Sequence, residues 1–330
     1  MTAATPTGTA AQRPLRLGTR ASALATTQSG HVAALITERT GRPVKLVEVT
    51  THGDVNRAPL ASIGGTGVFV SALRDALLDG EVDLAVHSLK DLPTGPAAGI
   101  ALAAVPPRED PRDVVVARDG LTLGELPVGS RVGTGSPRRA AQLAALGLGL
   151  EIVAIRGNVD TRIGKIAAGE VDAVLLARAG LARLGREAEV TETIDPFQML
   201  PAPGQGALAV ECRAADADLV ELLGALDDPG TRAAVTAERA VLSTLEAGCS
   251  APVGALAEVV EGDEGEELWL RAVVLSVDGA LSIRMSSTGS PGDAHGVGSR
   301  LGQEMLADGA ADLMEGPQPE GPDRVREQHA

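Results

Sequence analysis

Residues 131–142 read RVGTGSPRRAAQ. A short apolar run meets a Gly-Thr-Gly turn and then a serine placed directly before a proline. Ser136 has the side chain of an N-cap, and Pro137 suits the first helical position, where its missing N–H costs nothing. The stretch therefore predicts a strand running straight into a helix. The same grammar extends on both sides. VVVA (114–117) precedes it, and EIVAI (151–155), a helix to about Gly169 and VDAVLLA (171–177) follow. Upstream, LRLG (15–18) leads to Ser22, which can cap ALATTQSGHVAALITERT before Gly41 closes that helix. VKLVEVT (44–50), the glycine-rich ASIGGTGVF (61–69), a helix VSALRDALLDG (70–80) and a strand VDLAVHS (82–88) come next. Alternation of this kind predicts βαβ units around largely parallel sheets, an α/β fold.

Two breaks divide the pattern. PPREDPRD (106–113), with its prolines and charges, reads as a linker. FQMLPAPGQGALAVECR (197–213) is a Pro/Gly break followed by a strand, which is expected to return to the first sheet. Beyond Pro229 the order changes to a long helix, TRAAVTAERAVLSTLEAG, then strand-like PVGALAEVV, LWLRAVVLSV and ALSIRMSS, and a last helix from about Arg300 to Met314. That is an α+β unit distinct from the earlier series. The polar tail EGPQPEGPDRVREQHA reads as disordered.

The 330 residues are 44% hydrophobic but hold one Trp, two Phe and no Tyr, so the cores must be aliphatic. The aromatic deficit argues against single-stranded nucleic-acid binding, which uses stacking platforms. A net charge of −15 disfavours nonspecific attraction to nucleic acid or anionic membrane, although arginines gathered in one cleft could still bind a polyanion. No apolar run is long enough to cross a membrane, and MTAATPTGTAAQRP lacks a signal-peptide core, so a cytoplasmic location is expected. Two cysteines make no disulfide framework. Cys212 reads as a structural residue at a strand end. Cys249, in LEAGCSAP (245–252), stands on a small-residue corner with no metal or disulfide partner in sight.

One device recurs three times: a strand ends, a polar residue caps a helix, and arginine stands beside the cap. Arg20 precedes Ser22, Arg138 and Arg139 follow Ser136, and Arg156 and Arg162 flank Asn158. Cations in a first helical turn oppose the helix dipole at a cost of a few tenths to about 1 kcal/mol each. An anion bound there would reverse that penalty, because N–H groups, hydroxyls and guanidiniums would converge on it. Any one of these arginines alone reads equally well as a solvated surface cation. The set, at the carboxyl ends of strands, predicts a binding cleft. VDLAVHSLKDLP (82–93) delivers Ser88, Lys90 and Asp91 to such an end before Pro93 stops regular structure. A carboxylate among cations stays ionised, and could stabilise a developing cation and pass protons. The plain alternative is a Lys–Asp turn that satisfies its own backbone. His87 alternates to the opposite strand face and reads as structural. GGTG (64–67) is not a phosphate loop, since no Gly-Lys-Ser/Thr follows, and the five histidines show no metal-ligand spacing.

TRASALA, GGTGVF, VHSLKDLP, REDPRD, GTGSPRR, RGNVDTR, AGLARLG, PGQGALAVECR, TAERA and the cysteine after LEAG occur in the order seen in the porphobilinogen deaminases, also called hydroxymethylbilane synthases. The chain resembles that family over roughly residues 15 to 315. The resemblance implies two doubly wound domains like those of periplasmic binding proteins, at 14–107 with 203–224 and at 112–200. It also implies a smaller α+β domain at 229–316 and loose tails at 1–13 and 317–330. It implies a monomeric transferase of tetrapyrrole (heme and porphyrin) biosynthesis that joins four porphobilinogen molecules head to tail with loss of ammonia, handing hydroxymethylbilane to the next enzyme. A dipyrromethane cofactor would be held by a thioether to Cys249. By the same resemblance Ser88, Lys90, Thr134, Ser136, Arg138 and Arg139 bind that cofactor. Arg20, Ser22, Phe69, Arg156, Arg162, Arg183 and Gln205 meet the substrate, and Asp91 is the catalytic carboxylate facing a cationic azafulvene. Many relatives carry lysines where this chain has Ser62 and Thr66, so the glycine-rich loop with Phe69 is expected only as a lid. The rival reading of the same two-domain pattern is a solute-binding protein. It needs neither Cys249 nor Asp91.

Overall fold

A computed structural model describes residues 13–49, 67–247, 251–262 and 265–315. The glycine-rich loop to Thr66 and Cys249 lie outside the described residues, and of Phe69 only the helical backbone is described.

The first sheet grows from β1 (Leu15–Thr19), β2 (Val44–Glu48), β3 (Leu84–Ser88) and β4 (Ile100–Ala104). α1 (Ala23–Thr40) and α2 (Gly67–Leu78) connect its parallel strands. Ser22 caps α1 by accepting from the Ala25 amide, and Gly41 closes it in the left-handed conformation. The second sheet uses β5 (Asp113–Ala117), β6 (Arg131–Thr134), β7 (Glu151–Ala154), β8 (Ala173–Ala177) and β9 (Glu192–Thr193). Its helices are α3 (Pro137–Ala145), α4 (Val159–Ala167) and α5 (Arg178–Arg183). β10 (Leu208–Arg213) and α6 (Ala217–Gly224) follow. The remainder is α7 (Pro229–Thr244), β11 (Val253–Gly262), β12 (Gly265–Leu275), β13 (Ser282–Gly289), α8 (Ala294–Ala307) and α9 (Ala310–Glu315).

The strand order is β2-β1-β3-β10-β4 in one five-stranded sheet and β7-β6-β8-β5-β9 in the other. Both therefore follow one scheme. Three parallel strands are followed by a single strand running against them, β10 antiparallel to β3 and β5 antiparallel to β8. Each reversed strand arrives from the other sheet. The chain leaves the first sheet after β4 and enters the second as β5, then leaves after β9 and enters the first as β10. The two crossings touch: the Glu109 amide donates to Gly206 O (3.3 Å) and Gln205 Nε2 donates to Pro111 O (2.7 Å). Gly206 sits at φ 88°, and a Cβ there would stand 2.3 Å from Glu109 O, so only glycine permits this approach.

The cores are aliphatic, as composition requires. Leu17, Ile36, Leu84 and Leu223 are fully buried in the first layer set and Leu175, Ile194 and Met199 in the second. The antiparallel sheet β11-β12-β13 buries Ala255, Leu268 and Leu270 against Val241 of α7 and Leu301 of α8. α7 and α8 meet closely, since a Cβ on Gly298 would lie 2.2 Å from Ala237 O. Three sequence expectations change. The last helix starts six residues earlier than expected, at Ala294, and Gly309 (φ 93°) separates it from α9. β4, β9, α5 and α6, not expected as elements, are all formed, because edge strands and short helices carry little periodicity of their own. The segment 106–113, expected to be a linker, does connect the two sheets, but two of its charges, Arg108 and Asp113, make interior ion pairs.

Glu238 of α7 explains why. Its fully buried carboxylate accepts from both terminal nitrogens of Arg108 (2.6 and 3.0 Å), from the Gly204 amide (2.6 Å) and from the Ala257 amide (2.9 Å). Arg108 belongs to the first crossing, Gly204 to the second and Ala257 to β11. One side chain thus ties both crossings to the third sheet. Glu238→Ala would strand the buried guanidinium and two amides, a loss of about 3–5 kcal/mol. Urea denaturation followed by far-UV circular dichroism should show the lowered midpoint.

Candidate active site

The carboxyl ends of the parallel strands of both sheets face a shared cavity of about 570 Å³. This follows from the topology, since each parallel strand must hand over to a helix on that side. Among the described residues its walls carry Arg20, Lys90, Arg139, Arg156, Arg162 and Arg183, against the carboxylates Asp91 and Asp160. A chain of net charge −15 has thus concentrated cations at one place.

β1 ends at Thr19 and puts Arg20 and the capping Ser22 on the wall. β3 ends in a single 3₁₀ turn, Leu89–Asp91, with Leu89 fully buried as its anchor and its amide held by Ala207 O at 3.0 Å. Ser88, Lys90 and Asp91 then line the cavity. The Lys90 ammonium donates to Gln205 Oε1 (3.3 Å), and Gln205 Nε2 in turn donates to Asp113 Oδ1 (2.8 Å). Loss of water lowers the Lys90 pKa to about 8; Asp91 opposes this and Arg139 adds to it.

Asp113, the first residue of β5, is fully buried. It accepts from Arg138 (2.7 Å) and from Arg139 Nε and a terminal nitrogen (3.1 and 2.8 Å). Burial alone would raise its pKa, but the two guanidiniums outweigh that and hold the carboxyl far below the usual carboxylate range. Arg139 also donates to Leu175 O (3.1 Å) and reaches the cavity wall. Its neighbour does not. Arg138 is buried, donates to Asp113 and Leu200 O, and is absent from the wall.

The second sheet adds the remaining cations. Arg156 follows β7, and Asn158 caps α4 by accepting from the Thr161 amide (2.8 Å). Arg162, one turn on, folds back to donate to Gly157 O (2.8 Å), and burial with Arg139 nearby lowers its pKa. Asp160 pairs with Arg186. Arg183, at the end of α5, donates to Gly206 O (2.5 Å) and so touches the second crossing. Burial lowers its pKa while Glu109 works against that.

The structure brings Arg20, Ser22, Ser88, Lys90, Asp91, Arg139, Arg156, Arg162 and Arg183 to one wall. Three further residues expected at the site, like Arg138, do not border the cavity. Thr134 is buried and its hydroxyl accepts from the Ser136 amide (3.2 Å). Ser136 caps α3 by accepting from the Arg139 amide. Gln205 is buried as the link between Lys90 and Asp113. All four instead make hydrogen bonds within the scaffold behind the wall. His87 is buried with Nε2 3.3 Å from Glu211, as a structural residue should be, although it also borders the cavity. Glu211, whose pKa falls to about 2 despite burial, is held down by His87 and Arg74. Cys212 is buried in β10 and its thiol is pushed up to about 11, so it is inert at neutral pH. Asp113 was missed from sequence. The signal was an acid directly after Arg112 and directly before the apolar run 114–117, where a buried strand begins.

Such a wall can hold a polyanion by many charge-assisted hydrogen bonds while one carboxylate, Asp91, faces the same space. Comparison with known proteins gives this geometry a family. Residues 15–221 match the family model described as porphobilinogen deaminase, dipyromethane cofactor binding domain, and residues 232–307 match porphobilinogen deaminase, C-terminal domain. Porphobilinogen deaminase 1 of Streptomyces coelicolor is 60% identical over 312 residues, 92% of this chain and 98% of that protein. The porphobilinogen deaminase of Mycobacterium tuberculosis is 60% identical over 308 residues, 92% of this chain and 99% of its own. A periplasmic substrate-binding protein from Coxiella burnetii, 17% identical, is similar over 65% of this chain and 92% of that one at a TM-score of 0.41. With both of its family models and the whole length of its relatives matched, the chain belongs to the porphobilinogen deaminase family.

Proposed function

We propose that this chain is a transferase that condenses four porphobilinogen molecules head to tail, releasing one ammonia at each step, to give hydroxymethylbilane. The observation that carries this reading is the cavity that six cationic side chains line together with Asp91. Every pyrrole unit of the substrate carries an acetate and a propionate, so the donor set fits both the substrate and a dipyrromethane cofactor. Arg139 and Lys90, with Ser88, are the wall residues that would hold the cofactor, and Cys249 would attach it. When bound, that group supplies the primer to which new units are added. Sheet membership supports reading 14–107 with 203–224, 112–200 and 229–316 as three units, the last bearing Cys249. We further propose a cytoplasmic monomer that passes its product to the next enzyme of the pathway.

The remaining cations divide by position. Arg20 and Ser22 from the first sheet oppose Arg156, Arg162 and Arg183 from the second, so substrate carboxylates can be gripped from both sides of the cavity. Guanidiniums meet carboxylates bidentately, which orients a planar pyrrole. Loss of ammonia from the substrate leaves positive charge on its methylene carbon. Asp91, an anion on a rigid turn, stabilises that charge electrostatically and can take and return the pyrrole N–H proton. Phe69, at the start of α2, would close over the substrate.

Intact mass combined with Ehrlich's reagent tests the reading: the purified chain should carry a covalent adduct of two pyrrole units that disappears in Cys249→Ser. A fully active, unmodified chain would sink it. Asp91→Asn should keep the adduct and lose about 10²–10⁴-fold in kcat, the usual scale for a positioned acid–base and charge-stabilising group. Near-normal turnover would remove Asp91 from the chemistry. Lys90 supplies a pH test. With its pKa lowered to about 8, the ammonium loses its proton as pH rises through that value, and one anion contact goes with it. Turnover should fall above that pH in the native chain and stay flatter in Lys90→Met, as steady-state assays across about pH 7–9.5 would show.

A further inference from the structure

The turn that carries Lys90 and Asp91 has two faces. The Lys90 and Asp91 side chains border the cavity, and the carbonyls of Leu89, Leu92 and Pro93 face α7. Pro93 stops the turn from continuing as a helix, so no further helical turn follows to satisfy these carbonyls. Arg239 of α7 meets them. One terminal nitrogen donates to Leu89 O (3.3 Å) and Leu92 O (3.0 Å), and the other donates to Pro93 O (2.6 Å). The only described backbone bond inside the turn is from the Leu92 amide to Leu89 O (3.1 Å). On the opposite side Ala207 O holds the Leu89 amide.

We propose that Arg239 is a positioning residue for the reaction: its guanidinium fixes the 89–93 backbone and through it the aim of the Asp91 carboxylate. The inference rests on the reading of Asp91 as the catalytic carboxylate. Three arguments support it. A planar two-pronged cation spans three carbonyls of one turn, which an ammonium cannot do. The turn is a single 3₁₀ winding of three residues, too short to hold its own geometry. Arg239 also follows Glu238 directly, so its own Cα is held by the carboxylate that locks the crossings.

A double-mutant cycle on the full chain tests the proposal. Arg239→Ala should lower kcat by about 10–100-fold with KM changed less than about threefold, the scale of a small misplacement near the reacting atoms. In an Asp91→Asn background the same substitution should cost less than about threefold, because the carboxylate it aims is gone. Arg239→Lys should fall between the native chain and Arg239→Ala. Hydrogen exchange gives a readout apart from activity: the Leu92 amide should exchange at least about tenfold faster in Arg239→Ala, with the β3–β10 ladder unchanged. Equal kcat losses in both backgrounds, or unchanged exchange at Leu92, would mean that Arg239 only docks the third unit, and would overturn the proposal. If Arg239→Ala does not accumulate as folded protein, Arg239→Lys carries the same cycle. Full turnover in Asp91→Asn alone would instead remove the reading of Asp91 on which the cycle stands.

Discussion

Two buried carboxylates hold this molecule together at the place where it is most divided. Two sheets exchange a strand each, so the chain crosses between them twice, and the crossings cannot satisfy their own polar groups by regular ladders. Glu238 closes one set by accepting from Arg108, Gly204 and Ala257. Asp113 closes the other by accepting from Arg138, Arg139 and Gln205. Burying either charge is expensive unless every lone pair is met, and each carboxylate is met several times over. The cavity between the sheets depends on this lock, because its walls belong to both.

The same constraint shapes the chemistry. Asp113 draws Arg139 to the wall and holds Gln205, and Gln205 in turn receives Lys90. Burial strips water from the Lys90 ammonium and, with Arg139 and Arg138 adding to this against Asp91 and Asp113, lowers its pKa to about 8. Asp91 lies one residue further along the turn, facing space lined by cations. A cation and a carboxylate of the cavity are therefore neighbours on one short segment. Fixing that segment from behind, through Arg239, follows the same economy: interior hydrogen bonds of the scaffold define the orientation of a few exposed groups.

Much of this was legible in the residues. Caps at Ser22, Ser136 and Asn158, with the proline at 137 and the glycine at 41, mark helix ends by local chemistry alone, and the structure has each of them. The arginines beside those caps belong to one cleft because parallel strands all release their helices on one side. Local rules could not distinguish an arginine that faces the cavity from one that faces the interior. Arg138 and Arg139 are adjacent in a first helical turn, both are buried and both bond Asp113, and only the fold decides that Arg139 alone also borders the cavity.

Sequence by itself determined the α/β alternation, the helix boundaries written in caps, the aliphatic nature of the cores and the residue types of the site, since all of these follow from near-neighbour physics. Tertiary structure alone decided that the charges at 106–113 turn inward, that β4 and β9 form as edges, and that Thr134, Ser136, Arg138 and Gln205 support the wall without joining it. Those outcomes depend on contacts between residues far apart in the chain, such as Glu238 with Arg108 or Lys90 with Gln205. A buried charge goes where its partners are, and the partners are brought together only when the chain has crossed twice.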